Sequence, residues 1–389
     1  MIQITKKQNC SGCHACMAVC PKDCISMQRD KEGFLYSIAD KSSCINCGLC
    51  EKACQSINPI KSESIPKAYA AYNKNEDVRM KSSSGGTFTL IAEYIINKGG
   101  AVFGAAFDED LNVHHVCVER KEDLYRLRGS KYIQSAIGET YKTAKQILNQ
   151  GRYVLFTGTP CQIDGLLHYL NKKYDKLYTQ DIICHGVPSP TVWQKYLKYQ
   201  GSAYSGEVDR KSLPAFRRKD EGWKRYSVSY RFADDTEYRQ TLDKDLFMNA
   251  FLSNICLRPS CYNCHSKSLN RNSDITLADF WGIENELPEM FDDKGTSLVL
   301  VNSDKGLRLF NDISENMKYR EIEVNRAVKY NPSVRSSVKK PANRKRFMRK
   351  VNDRNFKEMV EKYKRLSVWD RVILNLKILC KKTLDNITN

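Results

Sequence analysis

Cys10-Ser-Gly-Cys-His-Ala-Cys-Met-Ala-Val-Cys-Pro21 and Cys44-Ile-Asn-Cys-Gly-Leu-Cys-Glu-Lys-Ala-Cys-Gln55 are one phrase written twice. Each copy carries the spacing C-x2-C-x2-C-x3-C; proline follows the fourth cysteine in the first copy, and Gln55 stands there in the second. Three cysteines two residues apart wrap a loop around one corner of an iron–sulfur cubane, so three thiolates reach three irons. The fourth, after the longer step, begins a helical turn and points to the other cluster. The spacing therefore predicts two 4Fe–4S clusters, one on Cys10, Cys13, Cys16 and Cys54 and one on Cys44, Cys47, Cys50 and Cys20. Gly12 and Gly48 relieve crowding where backbone approaches sulfide, and loop amides can donate to cluster sulfurs. Paired C-x2-C motifs can also hold zinc, but two full copies of the pattern argue against that. Cys24, outside the pattern, reads as a small packed residue behind the first cluster.

The chain has 389 residues and 16 cysteines, so this short module leaves room for a larger domain. The start, Met-Ile-Gln-Ile-Thr-Lys-Lys-Gln-Asn-Cys10, has no apolar signal region. The expectation is a cytoplasmic protein whose thiols stay reduced, with clustered cysteines serving as ligands rather than disulfides. No apolar run approaches the roughly 18 residues of a spanning helix, which leaves at most a peripheral place at the inner face of the membrane. Net charge is +18, but residues 335–389 hold 17 Lys and Arg against 5 Asp and Glu and so contribute +12 of it. A mildly basic body suits anionic partners such as phosphorylated cofactors or acidic electron carriers, and not nucleic acid.

After a polar linker, Pro59–Pro66, the composition changes. Thr87–Asn97 reads as a helix, Gly100–Phe107 as a strand and Thr140–Asn149 as a helix. Arg152–Phe156 is a buried-type strand, followed by the turn Thr157-Gly-Thr-Pro160 and a helix to about Leu170. Lys176–Cys184 is the next strand, with a helix from Thr191 to Gln200. Residues 205–245 alternate like strands, and Ser297–Asn302 reads as a late one. The predicted organisation is a bacterial-type two-cluster ferredoxin module (1–58), then an α/β domain with a mixed sheet (67–334, dividing near 145), then a basic helical tail (335–389).

Several phrases carry a further signal: Lys81-Ser-Ser-Ser-Gly-Gly-Thr-Phe88, Gly129-Ser-Lys-Tyr132, Phe156-Thr-Gly-Thr-Pro-Cys-Gln162, Ile183-Cys-His-Gly-Val-Pro-Ser-Pro190 and Asp274-Ile-Thr-Leu-Ala-Asp-Phe-Trp-Gly282. With these phrases in this order, the chain over residues 1–300 resembles the family of coenzyme F-420 (8-hydroxy-5-deazaflavin) hydrogenase/dehydrogenase beta subunits, in the bacterial branch with a fused ferredoxin. The resemblance implies an FAD-binding α/β domain that passes electrons between iron–sulfur clusters and an organic acceptor. The expected partners are a soluble carrier, such as ferredoxin or a reduced deazaflavin, an unidentified organic substrate, and a second copy of the chain. An electron-transfer subunit without its own substrate is the competing reading.

Ser82, Ser83, Ser84, Gly85, Gly86 and Thr87 precede a helix, so hydroxyls and first-turn amides suit a cofactor phosphate or the anionic edge of a reduced flavin. Read alone, the stretch could equally be an N-cap and loop. Lys131 and Tyr132 add a charge and a stacking ring, and Thr157, Gly158 and Thr159 form a second turn of the same kind. Cys161 and Cys184 each follow a strand; parallel neighbours would deliver both thiols to the carboxyl edge of the sheet. With the pair Cys261 and Cys264 they make a candidate third 4Fe–4S site, with Cys256 and Asp279 as rival ligands; alternatively, Cys161 is a redox thiol at a helix start. His185 is a candidate proton donor beside Lys131, or a structural histidine in a turn. The stretch Val368–Leu379, apolar on one helical face with basic flanks, reads as a packing helix or as a contact to an anionic membrane or acidic partner.

Overall fold

The computed structural model describes residues 1–60, 62–204 and 206–364. In chain order its strands are β1 (Ile25–Arg29) and β2 (Leu35–Ala39) in the cysteine-rich module, then β3 (Lys67–Asn73), β4 (Ala101–Phe107), β5 (Val113–Val118), β6 (Val154–Thr157) and β7 (Leu177–Ile182). β8 (Ala215–Arg218), β9 (Ser227–Arg231) and β10 (Glu237–Thr241) follow, then β11 (Ile275–Asp279), β12 (Ser297–Val301) and β13 (Met317–Ile322).

Eight of them form one mixed sheet in the order β13-β3-β12-β11-β7-β6-β4-β5. The central strands β4, β6, β7 and β11 pair in parallel, and the flanking pairs are antiparallel. β3 runs the same way as the central four. The ends at Asn73, Phe107, Thr157, Ile182 and Asp279 therefore lie along one carboxyl edge, where open α/β sheets place ligands. Every residue of β6 and β12 is buried, as strands covered on both faces require.

Helices Thr87–Asn97 and Asp304–Ile313 cover one face through Ile91, Ala92, Ile95, Leu309 and Phe310. Helices Thr140–Asn149 and Pro160–Leu170 cover the other. The latter begins where the sequence provides a start: Pro160 at its first position, and Thr159 and Gln162 capping each other's backbone. It stops at Asn171, whose φ of 48° is left-handed.

The cysteine module docks on this second face. Ala15, Ala18 and Ala53 join Ile163 and Leu166 in one core. Their small side chains let the backbones close up, and a Cβ on Gly165 would lie 2.9 Å from Cys13 Cβ. The small sheet β10-β9-β8 packs on an aromatic core that includes Trp193, Phe216, Tyr230 and Phe247. Helices Arg344–Lys350 and Phe356–Tyr363 add Phe347 and Phe356 to it. Arg344 also reaches the first module: Nη1 and Nη2 donate to Glu32 at 3.0 and 2.6 Å, and Nε donates to Leu257 O at 2.9 Å. The expected amphipathic stretch Val368–Leu379 lies outside the described residues. Among the described residues no helix is long and apolar enough to cross a membrane.

The helices Thr87–Asn97 and Thr140–Asn149 have the boundaries expected of them, and the strand expected over Lys176–Cys184 stops at Ile182, freeing Cys184 for the edge. β3 is a strand the sequence did not announce. Its alanines have little β preference, and burial between β12 and β13 decides its state.

Candidate redox site

Each N-terminal cysteine loop turns through two left-handed residues, Gly12 (φ 69°) and His14 (64°) in the first, Asn46 (54°) and Gly48 (74°) in the second. These turns aim successive thiols inward. Cys20, Cys44, Cys47 and Cys50 line one cavity, with Ile2 N donating to Cys50 Sγ at 3.3 Å and Asn46 N to Cys44 Sγ at 3.4 Å. Cys10, Cys13, Cys16 and Cys54 form the other group. Burial, with neighbouring Cys10 and Cys54 adding to it, pushes the Cys13 thiol up to about 11 and Cys16 up to about 12. Cys24 stands 3.3 Å from Cys20 Sγ and lines the cavity of the second group. The expectation that it sits behind the first is corrected, because the turn after Cys20 returns β1 toward Cys44. Among the described residues no three His, Cys, Asp or Glu side chains converge as closely as one metal ion requires; a cubane instead takes its thiolates at separate corners.

A cavity of about 470 Å³ opens at the carboxyl edge of the large sheet, between that edge and the cysteine module. It falls in the roughly 300–1,000 Å³ range of small-molecule sites. Ser82, Ser83, Ser84, Gly86 and Thr87 form one wall. Much of this loop is held from behind: Ser82 Oγ donates to Val78 O (2.7 Å), Ser84 Oγ to Thr296 O (3.0 Å), and Gly85 N to Ser297 Oγ (3.0 Å). Gly85 has no room for a side chain, since its Cβ would lie 2.4 Å from Ala71 O. Ser83 Oγ accepts from Ser130 N at 2.7 Å, tying the loop to Gly129-Ser-Lys-Tyr132. Lys219, whose ammonium burial pushes down to about 7, donates to Ser84 O at 2.6 Å.

Unspent polar atoms remain on this wall. Thr87 Oγ1, Gln180 Oε1 and Arg217 Nε are buried without partners, and each residue faces the cavity. Such groups are costly unless something bound satisfies them. Arg217 otherwise grips Asp279 at 2.7 Å and lies 4.0 Å from the Tyr226 ring centroid. Asp279 also accepts from Trp223 Nε1 (2.8 Å), so this rival ligand is committed to the framework. Thr157 Oγ1 donates to Phe103 O (2.8 Å), Gly158 N to Gln180 O (3.1 Å), and Thr159 caps its helix.

The Lys131 ammonium donates to the carbonyls of Leu127, Arg128 and Gly129 at 3.1–3.2 Å, and burial pushes it down to about 7. Tyr132 stacks on Phe251 with centroids 4.8 Å apart, and its hydroxyl accepts from Arg217. His185 Nε2–H donates to Asn254 Oδ1 at 2.6 Å, and burial pushes its pKa below the usual histidine value. All three residues line the cavity.

Cys161, Cys184, Cys261 and Cys264 line it too. They are close enough that Cys264, Cys184 and Cys261 all raise the Cys161 thiol beyond the effect of burial. β6 and β7 are parallel neighbours, as the delivery of Cys161 and Cys184 to one edge required. Val187 N donates to Cys261 Sγ at 3.4 Å. Cys256 is fully buried in the aromatic core and is absent from the cavity wall. Two cavity residues not anticipated from sequence join the cysteine sets. Gln55 Nε2 donates to Ser11 Oγ and to Cys161 O (2.9 and 2.7 Å). Arg258 Nε donates to Cys10 O at 2.9 Å and Nη1 to Gln134 Oε1 at 2.9 Å. Gln55 had a signal, its replacement of proline; Arg258 and Arg217 had none.

Comparison with known proteins fits this layout. Residues 9–57 match the 4Fe-4S dicluster domain, so the first module is iron–sulfur in type. Residues 68–141 match the N-terminal part, and 151–326 the C-terminal part, of the coenzyme F420 hydrogenase/dehydrogenase beta subunit. An uncharacterized protein of Methanocaldococcus jannaschii is 27% identical over 209 residues, 45% of this chain and 56% of that protein. A subunit of the F(420)H(2) dehydrogenase of Methanosarcina mazei is 25% identical over 172 residues, 41% of this chain and 48% of that one. The chain thus spans about half the length of the curated relatives it matches. A chain of the F420-reducing [NiFe] hydrogenase complex from Methanosarcina barkeri superposes with a TM-score of 0.48 and 15% identity, covering 70% of this chain and 88% of that chain.

Proposed function

This chain belongs to the family of coenzyme F420 hydrogenase/dehydrogenase beta subunits, and we propose that it is an iron–sulfur flavoprotein oxidoreductase. In this reading it takes electrons from a low-potential carrier through 4Fe–4S clusters to FAD and on to an organic acceptor. Residues 1–58 are the electron inlet and 67–334 hold the flavin and a third cluster, while the basic stretch that begins at 335 packs its helices Arg344–Lys350 and Phe356–Tyr363 into the aromatic core. Cys10, Cys13, Cys16 and Cys54 hold one cluster, Cys44, Cys47, Cys50 and Cys20 the second, and Cys161, Cys184, Cys261 and Cys264 the third. FAD, when bound, supplies the step from one-electron clusters to two-electron organic chemistry.

The supporting observation is one shared wall. Four thiols and the Ser82–Thr87 loop, with its unpartnered Thr87 Oγ1 and nearby Arg217 Nε, surround a single cavity against the cysteine module. Four sulfur donors suit an iron–sulfur cluster, and the unpartnered donors suit a polar, anionic group. Arg217, Thr87 and the Ser83–Ser130 pair orient that group, with Lys131 nearby. Tyr132 and Phe251 exclude water from one side. His185, kept neutral by burial, spends its Nε2–H on Asn254 and so serves as the structural histidine of its turn beside the cavity.

Anaerobic iron, sulfide and flavin analysis of the intact chain tests this. About twelve irons and one FAD per chain are expected; about eight irons without flavin would reduce the reading to the ferredoxin part. A second reading, an electron-transfer subunit with no substrate of its own, is favoured by the Methanosarcina mazei relative, which is itself one subunit of a dehydrogenase. Turnover by the isolated chain with an artificial one-electron donor separates the two.

A further inference from the structure

The two cysteine repeats differ at a position that no cluster needs. Pro21 follows Cys20, whereas Gln55 follows Cys54, and Gln55 is buried. Its amide donates to Ser11 Oγ and Cys161 O, and its Oε1 accepts from Ser266 Oγ at 3.3 Å. One side chain therefore joins the loop after Cys10, the backbone of Cys161 and the residue two beyond Cys264. Arg258 makes a second such link. Fully buried, it donates to Cys10 O at 2.9 Å and Leu35 O at 2.8 Å, and places Nη2 3.7 Å from Cys10 Sγ. Its own carbonyl accepts from Cys261 N at 3.0 Å. The other repeat faces outward: Cys47 is exposed, as are Ile45 and Leu49.

Resting on the cluster assignment above, we infer that Gln55 and Arg258 are the positioning residues of an electron junction with a fixed order. A soluble one-electron carrier gives up one electron at the Cys47 side. The electron leaves the module from the Cys10 side and crosses at Gln55 and Arg258 to the cluster that Cys161 and Cys261 would ligate. Each crossing oxidises the Cys10-side cluster by one electron and reduces the Cys161-side cluster by one; no bond forms or breaks and no proton moves. Arg258 also places a positive charge beside Cys10 Sγ, which favours the reduced state of that cluster and raises its potential.

The test uses the anaerobically reconstituted full chain. The variants are Gln55→Leu, Arg258→Met, Arg258→Lys and, as a docking control, Glu32→Gln, which cuts the Arg344 clasp without touching the junction. Iron content, flavin bleaching after mixing with reduced viologen, and an electron-paramagnetic-resonance redox titration are measured. Q55L and R258M are expected to retain iron and slow bleaching by about ten- to a hundredfold. R258M moves the Cys10-side potential negative, R258K restores it, and E32Q stays within about twofold of the parent rate. Iron-replete Q55L with an unchanged rate, or E32Q as slow as Q55L, overturns the junction alone. A parent chain with eight irons and no flavin overturns the cluster reading along with it. Should R258M fail to fold, Q55L decides.

Discussion

The first cysteine loop and the second share a spacing and a backbone path, yet one is an interior surface and the other an exterior one. Ala15 is fully buried where its counterpart Leu49 is exposed, and Ser11 receives Gln55 where its counterpart Ile45 faces outward. Both loops need two left-handed residues, but the glycine changes place: Gly12 corresponds to Asn46, and His14 to Gly48. A Cβ on Gly12 would fall 2.8 Å from Arg258 Nη1, whereas one on Gly48 would meet nothing within 4 Å. The repeat specifies a cage. The residues between its cysteines, and the one just after them, specify which way the cage faces.

The largest effect that would break this comparison concerns the crossed ligands. Cys54→Ser is expected to remove about four irons from the buried side, and Cys20→Ser about four from the exposed side. Cluster-resolved electron paramagnetic resonance distinguishes them, and the opposite pattern would mean uncrossed loops. Next, Gly12→Ala should cost about 2–4 kcal/mol through its clash with Arg258 and its backbone strain. Asn46→Ala, at the matching turn, should cost about 1 kcal/mol or less; anaerobic urea unfolding compares them.

Acid gives a smaller contrast. His115 stands behind the buried loop, bonded to Ser135 Oγ and Thr157 O, and burial holds it down to about 4. The unfolded chain takes up that proton near pH 6.5 and the folded chain only near 4. Its contribution is therefore complete above 6.5 and is lost as pH falls toward 4. His115→Gln should remove about 1–3 kcal/mol of that acid sensitivity, seen as a flatter plot of unfolding midpoint against pH. Smallest of all, Ile45→Ser on the exposed loop should change stability by less than about 0.5 kcal/mol. A larger loss would show that the outer face is covered.

Local pattern made much of this legible. The ferredoxin spacing, the helices Thr87–Asn97 and Thr140–Asn149, and the strands ahead of Cys161 and Cys184 all lie in signals a few residues long. The delivery of Cys161 and Cys184 to one edge followed once those strands were taken as parallel neighbours, whereas the approach of Cys261 and Cys264 to them lay in no strand pattern. The functional polar contacts were different. Arg258 meets Cys10 across 248 residues, and Lys219 meets Ser84 across 135; no local period announces such a partner. Cys256 shows the converse, for its spacing to Cys261 made it a plausible ligand, and only the packing of helix Leu246–Leu252 turns it into the aromatic core.

The clasp between Glu32 and Arg344 has a consequence for synthesis. Its two ends are 312 residues apart, so at roughly 5–20 residues per second the cysteine module leaves the ribosome some 15–60 seconds before its clasp exists. Until Pro160–Leu170 and Arg258 have followed, the loop that ends up buried is open to whatever delivers iron and sulfide. Arg344, arriving later still, then clamps the module in place.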